Sequence, residues 1–151
     1  MLVRATKRDF EAVNHLARQV HELHVAWRPD LFVSCKYPLS EDDFQDLLDN
    51  DAIYVLRKRG NIIAYITFDV HETEHHSVAF RKIFMLKQIC VDESCRNQGL
   101  GRQIMEEVKN LAGDLGCTDI QLTCDPHNEA ALHLYETFGM NVKYLQFHLK
   151  L

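Results

Sequence analysis

Residues 96 to 101 read Arg96-Asn97-Gln98-Gly99-Leu100-Gly101. They follow the apolar stretch Ile89-Cys90-Val91. They open a segment with apolar positions at Leu100, Ile104, Met105, Val108, Leu111 and Leu115. The pattern is strand, glycine turn, helix start. Such a turn points several main-chain N–H groups one way at the positive end of a helix, which suits a phosphate or pyrophosphate. A side chain at Gly99 or Gly101 would block close approach of an anion to the backbone. A P-loop needs glycine, four residues, then Gly-Lys-Ser/Thr, and no such run occurs. A dinucleotide fingerprint needs a third glycine where Ile104 stands.

Two further side chains are placed for chemistry. Asn128 precedes an apolar periodicity at Ala131, Leu132, Tyr135 and Phe138, closed by Gly139. The position suits a helix cap, which leaves room for a ligand contact as well. Tyr135 lies on the apolar stripe. Core packing accounts for its ring but leaves its hydroxyl unassigned. Metal chemistry fits poorly. His71, His75 and His76 cluster, and Cys124-x-x-His127 has ligand-like spacing, but no second pair completes a set.

These groups need a scaffold of one domain. The chain has 151 residues with 46% hydrophobic composition, enough for one core over residues 1–151. No run approaches the roughly 18 apolar residues of a membrane span. The start, Met1-Leu2-Val3-Arg4, lacks the apolar region of a signal peptide. Cys35, Cys90, Cys95, Cys117 and Cys124 follow no regular spacing and read as reduced thiols in the cytoplasm. A formal net charge of -5 disfavours nucleic-acid binding and mildly favours a cationic partner.

The elements that must position the site are legible in order. Leu2–Ala5 is a strand. Val13, Leu16, Ala17, Val20, Leu23 and Trp27 mark an amphipathic helix ahead of Pro29. Ser40 and Asp43 resemble a capping box that starts a short helix burying Phe44, Leu47 and Leu48. Ala52–Arg57 and Ile62–Val70 form a hairpin about Arg59-Gly60-Asn61. Residues 71–78 are a polar loop, and Lys82–Val91 is a long strand. The helix after the glycine turn ends at Gly116. Asp119–Cys124 is a strand, the Asn128 helix follows, and Val142–Leu149 is a final strand. The order β-α-α-β-β-β-α-β-α-β predicts an α/β fold, with a mixed central sheet flanked by helices.

Together, Ile89-x-Val91 with Arg96-x-x-Gly99-x-Gly101, the strand Ile120–Thr123 and Asn128-x-x-Ala131-x-x-x-Tyr135-x-x-Phe138-Gly139-Met140 resemble the GNAT superfamily of N-acetyltransferases. Met140 stands where that family usually has Phe. His24–Phe32 also resembles a segment of small bacterial members. The resemblance implies the GNAT fold, acetyl-CoA as donor and transfer to a primary amine. It implies that the backbone of Ile89, Cys90 and Val91 pairs with the pantetheine arm and helps polarise the thioester carbonyl. It further implies that Asn97, Gln98, Gly99, Leu100, Gly101 and Arg102 hold the pyrophosphate through their amides. By the same resemblance Arg96 adds a phosphate contact, Asn128 bonds the arm, and Tyr135 serves the departing thiolate as general acid.

The acceptor side is less complete. An alkyl ammonium has a pKa near 10.4, so losing its proton at pH 7 costs about 4.6 kcal/mol. A base or a water chain must supply that step. Relatives often carry a carboxylate on the strand before the loop, whereas this chain has Met85-Leu86-Lys87-Gln88. Glu72, Glu74, His75, His76, Asp92, Glu93, His24 and Asp30 are the available replacements. Lys87 could repel a cationic amine, bind an anionic group, or simply face outward. The alternative reading is a coenzyme-A-binding sensor or regulatory module with little catalysis. An aminoglycoside, a polyamine, an amino acid and a protein amine all stay open as acceptors. The final strand alternates Tyr144, Gln146 and His148 against Leu145, Phe147 and Leu149. An exposed edge there suits pairing into a homodimer.

Overall fold

The computed structural model describes all 151 residues. Five strands form one sheet in the order β1-β2-β3-β4-β5. They are β1 (Leu2–Arg4), β2 (Ile53–Lys58), β3 (Asn61–Glu72), β4 (Lys82–Val91) and β5 (Asp119–Leu122). The helices are α1 (Phe10–Trp27), α2 (Glu41–Asp49), α3 (Leu100–Asp114) and α4 (Glu129–Phe138). The first four strands pair antiparallel, while β5 joins β4 in parallel. That is the mixed α/β plan expected from the element order.

Strand alternation divides the core between the two faces. Ala64, Ile66 and Phe68 pack with Phe84, Ile104, Met105 and Val108 under α3 and α4. Val55, Tyr65 and Cys90 face the other way, against Val13, Leu16 and Phe44 from α1 and α2. A sheet covered on both faces needs apolar residues at successive positions, which is why β3 and β4 read as near-continuous apolar runs.

Local chemistry sets the joints. Arg59 and Gly60 both take positive φ, 52° and 85°, and join Lys58 to its partner Asn61. That is the turn whose twist suits a hairpin. The Ser40 hydroxyl caps α2 by accepting from the Asp43 amide at 3.1 Å. Asn14 is fully buried, and its side chain satisfies two main-chain groups. It donates to the Phe10 carbonyl and accepts from the Leu39 amide, so α1 holds the segment that leads into α2.

Two expectations need correction. The strand β3 runs on to Glu72, so the polar loop begins later than composition suggests. Residues 142–149 form no strand: nothing from 141 to 151 is helical or paired, and the side chains stand in solvent. Their alternating pattern is that of a strand, but no strand of this chain pairs with it.

Candidate active site

The site begins where two strands part. β5 pairs with β4 only from Ile83 to Leu86, yet β4 continues to Val91. The cause is a bulge. Thr67 faces Gln88 and Phe68 faces Leu86, so Lys87 is the extra residue. A bulge bends its strand and raises the local twist, and here it turns β4 away from β5. Beyond it, Ile89, Cys90 and Val91 pair with β3 on one side only. Their other edge can accept an extended chain as a further strand would.

A cavity of about 320 Å³ fills this cleft. Its walls include Gln88, Ile89 and Cys90 of β4, Leu122 to Asp125 at the end of β5, Ala17, Val20, His21 and His24 of α1, and Tyr135 of α4 with its cap Asn128. Tyr135 is only 9% exposed, and its ring packs in the core with Met105 and Val108. Its hydroxyl has no hydrogen-bond partner in the protein and is not sealed from solvent, so it is free to meet a ligand. Burial, followed by the charge of the Cys124 thiolate form, pushes the phenol well above its ordinary range. Tyr135 therefore holds its proton and can donate it. Asn128 caps α4 through Oδ1, which accepts from the Ala131 amide at 3.2 Å. Its Nδ2 donors are uncommitted.

The glycine turn follows β4 in the chain, between the short turn Glu93–Cys95 and the start of α3. Asn97 and Gly99 have φ of 59° and 78°, and Gly99 caps α3 without a side chain. No main-chain amide from Asn97 to Arg102 finds an acceptor in the protein; the first bond of the helix is Gln103 to the Gly99 carbonyl at 3.2 Å. Adjacent free amides at a positive helix end form an anion cradle. A Cβ on Gly99 would meet nothing within 4 Å, so the residue is required by its φ. A Cβ on Gly101 would lie 3.0 Å from Leu134 Cδ2. Gly101 is thus also a packing residue between α3 and α4, a demand that only the tertiary fold reveals.

The charged side chains of the turn are partly committed. Arg96 donates from Nε to the Val91 carbonyl at 2.9 Å and from one amino group to Gln19 at 3.4 Å. It braces the end of β4 to α1 and keeps its remaining donors for an anion. Arg102 donates to the Thr137 carbonyl and lies over the Phe138 ring, while the Gln98 side chain returns to the Ser94 carbonyl.

Of the candidate bases, the structure brings only His24 to the cavity. Its ring stacks on Phe32 and meets Trp27 edge-on. Burial lowers its pKa and His21 adds to that, while Asp125 opposes them; the net shift is downward. His24 is therefore neutral at pH 7. Asp30 is clamped by Arg28 at 2.9 Å and held down at about 2, too acidic to take a proton from an amine. Asp92 is bonded to Ser94 and Gln19. Glu72, Glu74, His75 and His76 do not border the cavity.

Sequence reasoning missed two members of the site. Asp125 accepts from the His127 amide, lines the cavity and places a negative charge that acts on His24. The Asp-Pro-His run after β5 was the signal for it. Gln88 accepts from the Tyr65 hydroxyl at 2.9 Å, which fixes the side chain that follows the bulge. The Cys124–His127 spacing does not make a ligand pair: His127 turns to Asp125 at 2.7 Å. No group of three His, Cys, Asp or Glu side chains is arranged to hold a metal ion.

The model of the acetyltransferase (GNAT) family matches residues 17–140. The chain belongs to the GNAT acetyltransferase family. A putative phosphinothricin acetyltransferase, YwnH of Bacillus subtilis, is 29% identical over 107 residues, covering 68% of this chain and 63% of that protein. The thialysine N-epsilon-acetyltransferase of Sus scrofa is 37% identical over 54 residues, 36% of this chain and 32% of that one. The chain thus matches less than two thirds of the length of these GNAT relatives. A mutant of the BH1408 protein from Bacillus halodurans superimposes with a TM-score of 0.94 at 30% identity, covering 100% of this chain and 99% of that one. The aminoglycoside N-acetyltransferase AAC(6')-Iy, solved with CoA, superimposes at 0.72 with 16% identity, over 99% and 98% of the two chains. That second likeness is one of GNAT fold.

Proposed function

We propose that the protein is an N-acetyltransferase that takes acetyl from acetyl-CoA and passes it directly to a primary amine. The observation that carries this reading is one continuous feature. The unpaired edge of β4 at Ile89 and the free Tyr135 hydroxyl border one cleft, and the same strand leads through Asp92–Cys95 to the six unbonded amides of residues 97–102. The fit to a coenzyme is chemical. An amide-bearing arm can pair with a strand edge, and a pyrophosphate suits the amides of a helix start.

Acetyl-CoA supplies an activated thioester. The chain's own residues do the rest. Main-chain groups of Ile89 to Val91 orient the thioester and polarise its carbonyl. The uncharged His24 takes the proton that the amine must lose before its nitrogen bonds to the carbonyl carbon. Tyr135 gives its proton to the sulfur as the carbon–sulfur bond breaks. No acyl-enzyme is needed. Two thiols border the cavity: burial pushes Cys90 up to about 12 and its Sγ donates to the Leu16 carbonyl, while burial also raises Cys124, whose Sγ donates to the Asp125 carbonyl. A protonated, hydrogen-bonded thiol is a poor nucleophile.

The free thiols fit a reducing compartment, the cytoplasm. Asp125 at the rim of the cleft suits a cationic acceptor, and a homodimer fits the apolar surface of the last residues. Calorimetric titration with acetyl-CoA tests the donor site. Wild type should bind; Gly99→Asp, which places a carboxylate in the cradle, should not. Equal affinity in both would overturn the pyrophosphate assignment. Isolation of a turnover-competent acetyl-Cys90 would overturn direct transfer. Tight binding without thiol release for any amine would support a coenzyme-sensing module instead.

A further inference from the structure

The run Asp92–Gln98 joins β4 to the amide cradle and is bonded mainly to itself. Asp92 Oδ1 accepts from the Ser94 amide at 2.9 Å, and the Gln98 side chain donates to the Ser94 carbonyl at 3.3 Å. The Cys95 amide donates to the Asp92 carbonyl at 2.9 Å, and Arg96 returns to Val91 at the end of β4. Polar ties to distant parts of the chain come from two residues only. One is Ile63, whose carbonyl accepts from the Asp92 amide at 2.8 Å. The other is Gln19 of α1, which acts through its side chain.

Gln19 is half-buried, and both ends of its amide are engaged. Oε1 accepts from the Glu93 amide at 2.9 Å and from the Arg96 guanidinium at 3.4 Å. Nε2 donates to Asp92 Oδ2 at 3.3 Å and lies 3.4 Å from His15 Nε2. These neighbours set the orientation of the amide. The reverse would place N–H against N–H and oxygen against carboxylate. One neutral side chain thus stands between a cation and an anion. Removing it leaves Arg96 and Asp92 free to pair, and a guanidinium paired to a carboxylate is withdrawn from a phosphate.

α1 is docked on the same end of β4 by a second bond, from Cys90 Sγ to the Leu16 carbonyl. Farther along, the helix brings Val20 and His24 to the cleft. We propose that Gln19 is a positioning residue for the coenzyme's pyrophosphate. It fixes the approach Asp92–Cys95 and the Arg96 guanidinium, so that the amides of Asn97 to Arg102 stand preformed for the anion. A preformed site avoids the cost of ordering its groups on binding. This role rests on the acetyl-CoA reading above.

Ligand titration of the full chain tests it. Gln19→Met keeps the length of the side chain and removes its bonds. It should weaken coenzyme A binding by roughly 5- to 30-fold, as the loss of two hydrogen bonds implies. Pantetheine, which lacks the pyrophosphate, should bind wild type and variant equally, which also reports an intact cleft. Gln19→Glu should weaken coenzyme A as well, because it sets two carboxylates together. Adding Asp92→Asn to it restores the donor and acceptor pattern with its polarity exchanged and the total charge unchanged, and should recover most of the affinity. Unchanged coenzyme A affinity in Gln19→Met, equal losses for coenzyme A and pantetheine, or no recovery in the double variant would each overturn the positioning role alone. A wild type that binds no coenzyme A would overturn the acetyl-CoA reading, and this role with it.

Discussion

The Lys87 ammonium sits 2.8 Å from the Asp69 carboxylate, across the bulge that parts β4 from β5. Burial would raise the Asp69 carboxyl, but the bonds from Lys87 and His71 outweigh it and leave it low. The acid absent from the strand before the loop is thus replaced by a cation already paired to a neighbouring strand. Lys87 borders the 320 Å³ cleft and also a larger cavity of about 730 Å³, which Asp69, Asp43 and Asp46 line as well. Lys87→Ala should cost less than about 1 kcal/mol of stability, because the pair is half exposed. It should lower KM for a cationic amine by up to about fivefold, the equivalent of ~1 kcal/mol. Steady-state kinetics check this; a raised KM would mean that Lys87 binds the acceptor.

Tyr135→Phe removes a hydroxyl that bonds to nothing in the protein. Stability should change by less than about 1 kcal/mol. Turnover should fall by roughly 10²- to 10⁴-fold, with acetyl-CoA affinity within a few-fold of wild type. Calorimetry and initial rates separate the two. Unchanged turnover would reduce Tyr135 to a core residue.

His24 provides a pH signature. Its pKa is lowered, so the neutral, proton-accepting form dominates above its titration and is lost as pH falls through it. The rate should therefore decline on the acid side, with an apparent pKa below the ordinary 6.5. In His24→Gln that limb should vanish and kcat should fall by about 10²-fold or more. A limb that persists in the variant would assign the proton to another group or to water.

Asp9 makes a stability prediction far from the cleft. Its carboxylate accepts from Arg57 at 2.7 Å and 2.8 Å and from the Thr6 amide at 2.8 Å. Burial would raise its pKa, but these bonds outweigh it and lower it in the fold. The stabilisation is complete above the unfolded value near 3.9 and disappears as pH falls through the folded one. Urea midpoints should drop below about pH 4 in wild type, with a shallower acid limb in Asp9→Asn. At pH 7 that variant should be less stable by about 1–3 kcal/mol.

What the sequence revealed was local. Ser40 and Asn128 as caps, Arg59-Gly60 as a hairpin turn and Gly99 in the strand-to-helix turn are each dictated by neighbours in the chain; the positive φ of Gly99 appears only in the fold. The Asn97–Arg102 cradle is likewise local, since it needs only a strand, a turn and a helix start. The rest depends on distant contacts. The Gly101–Leu134 approach joins two helices. The Lys87 bulge is visible only against the register of β3. His24 and Asp125 line one cavity from distant parts of the chain. The segment 142–149 has the alternation of a strand, but pattern alone does not supply the strand beside it.

The most direct measurement is release of free thiol from acetyl-CoA, followed together with acetylated product, across a panel of aminoglycosides, polyamines, amino acids and peptides. The chain should release one thiol per amine acetylated for at least one member, and Tyr135→Phe should suppress that rate while still binding the coenzyme. Saturable coenzyme binding with no thiol release from any amine would contradict the assignment as an acetyltransferase.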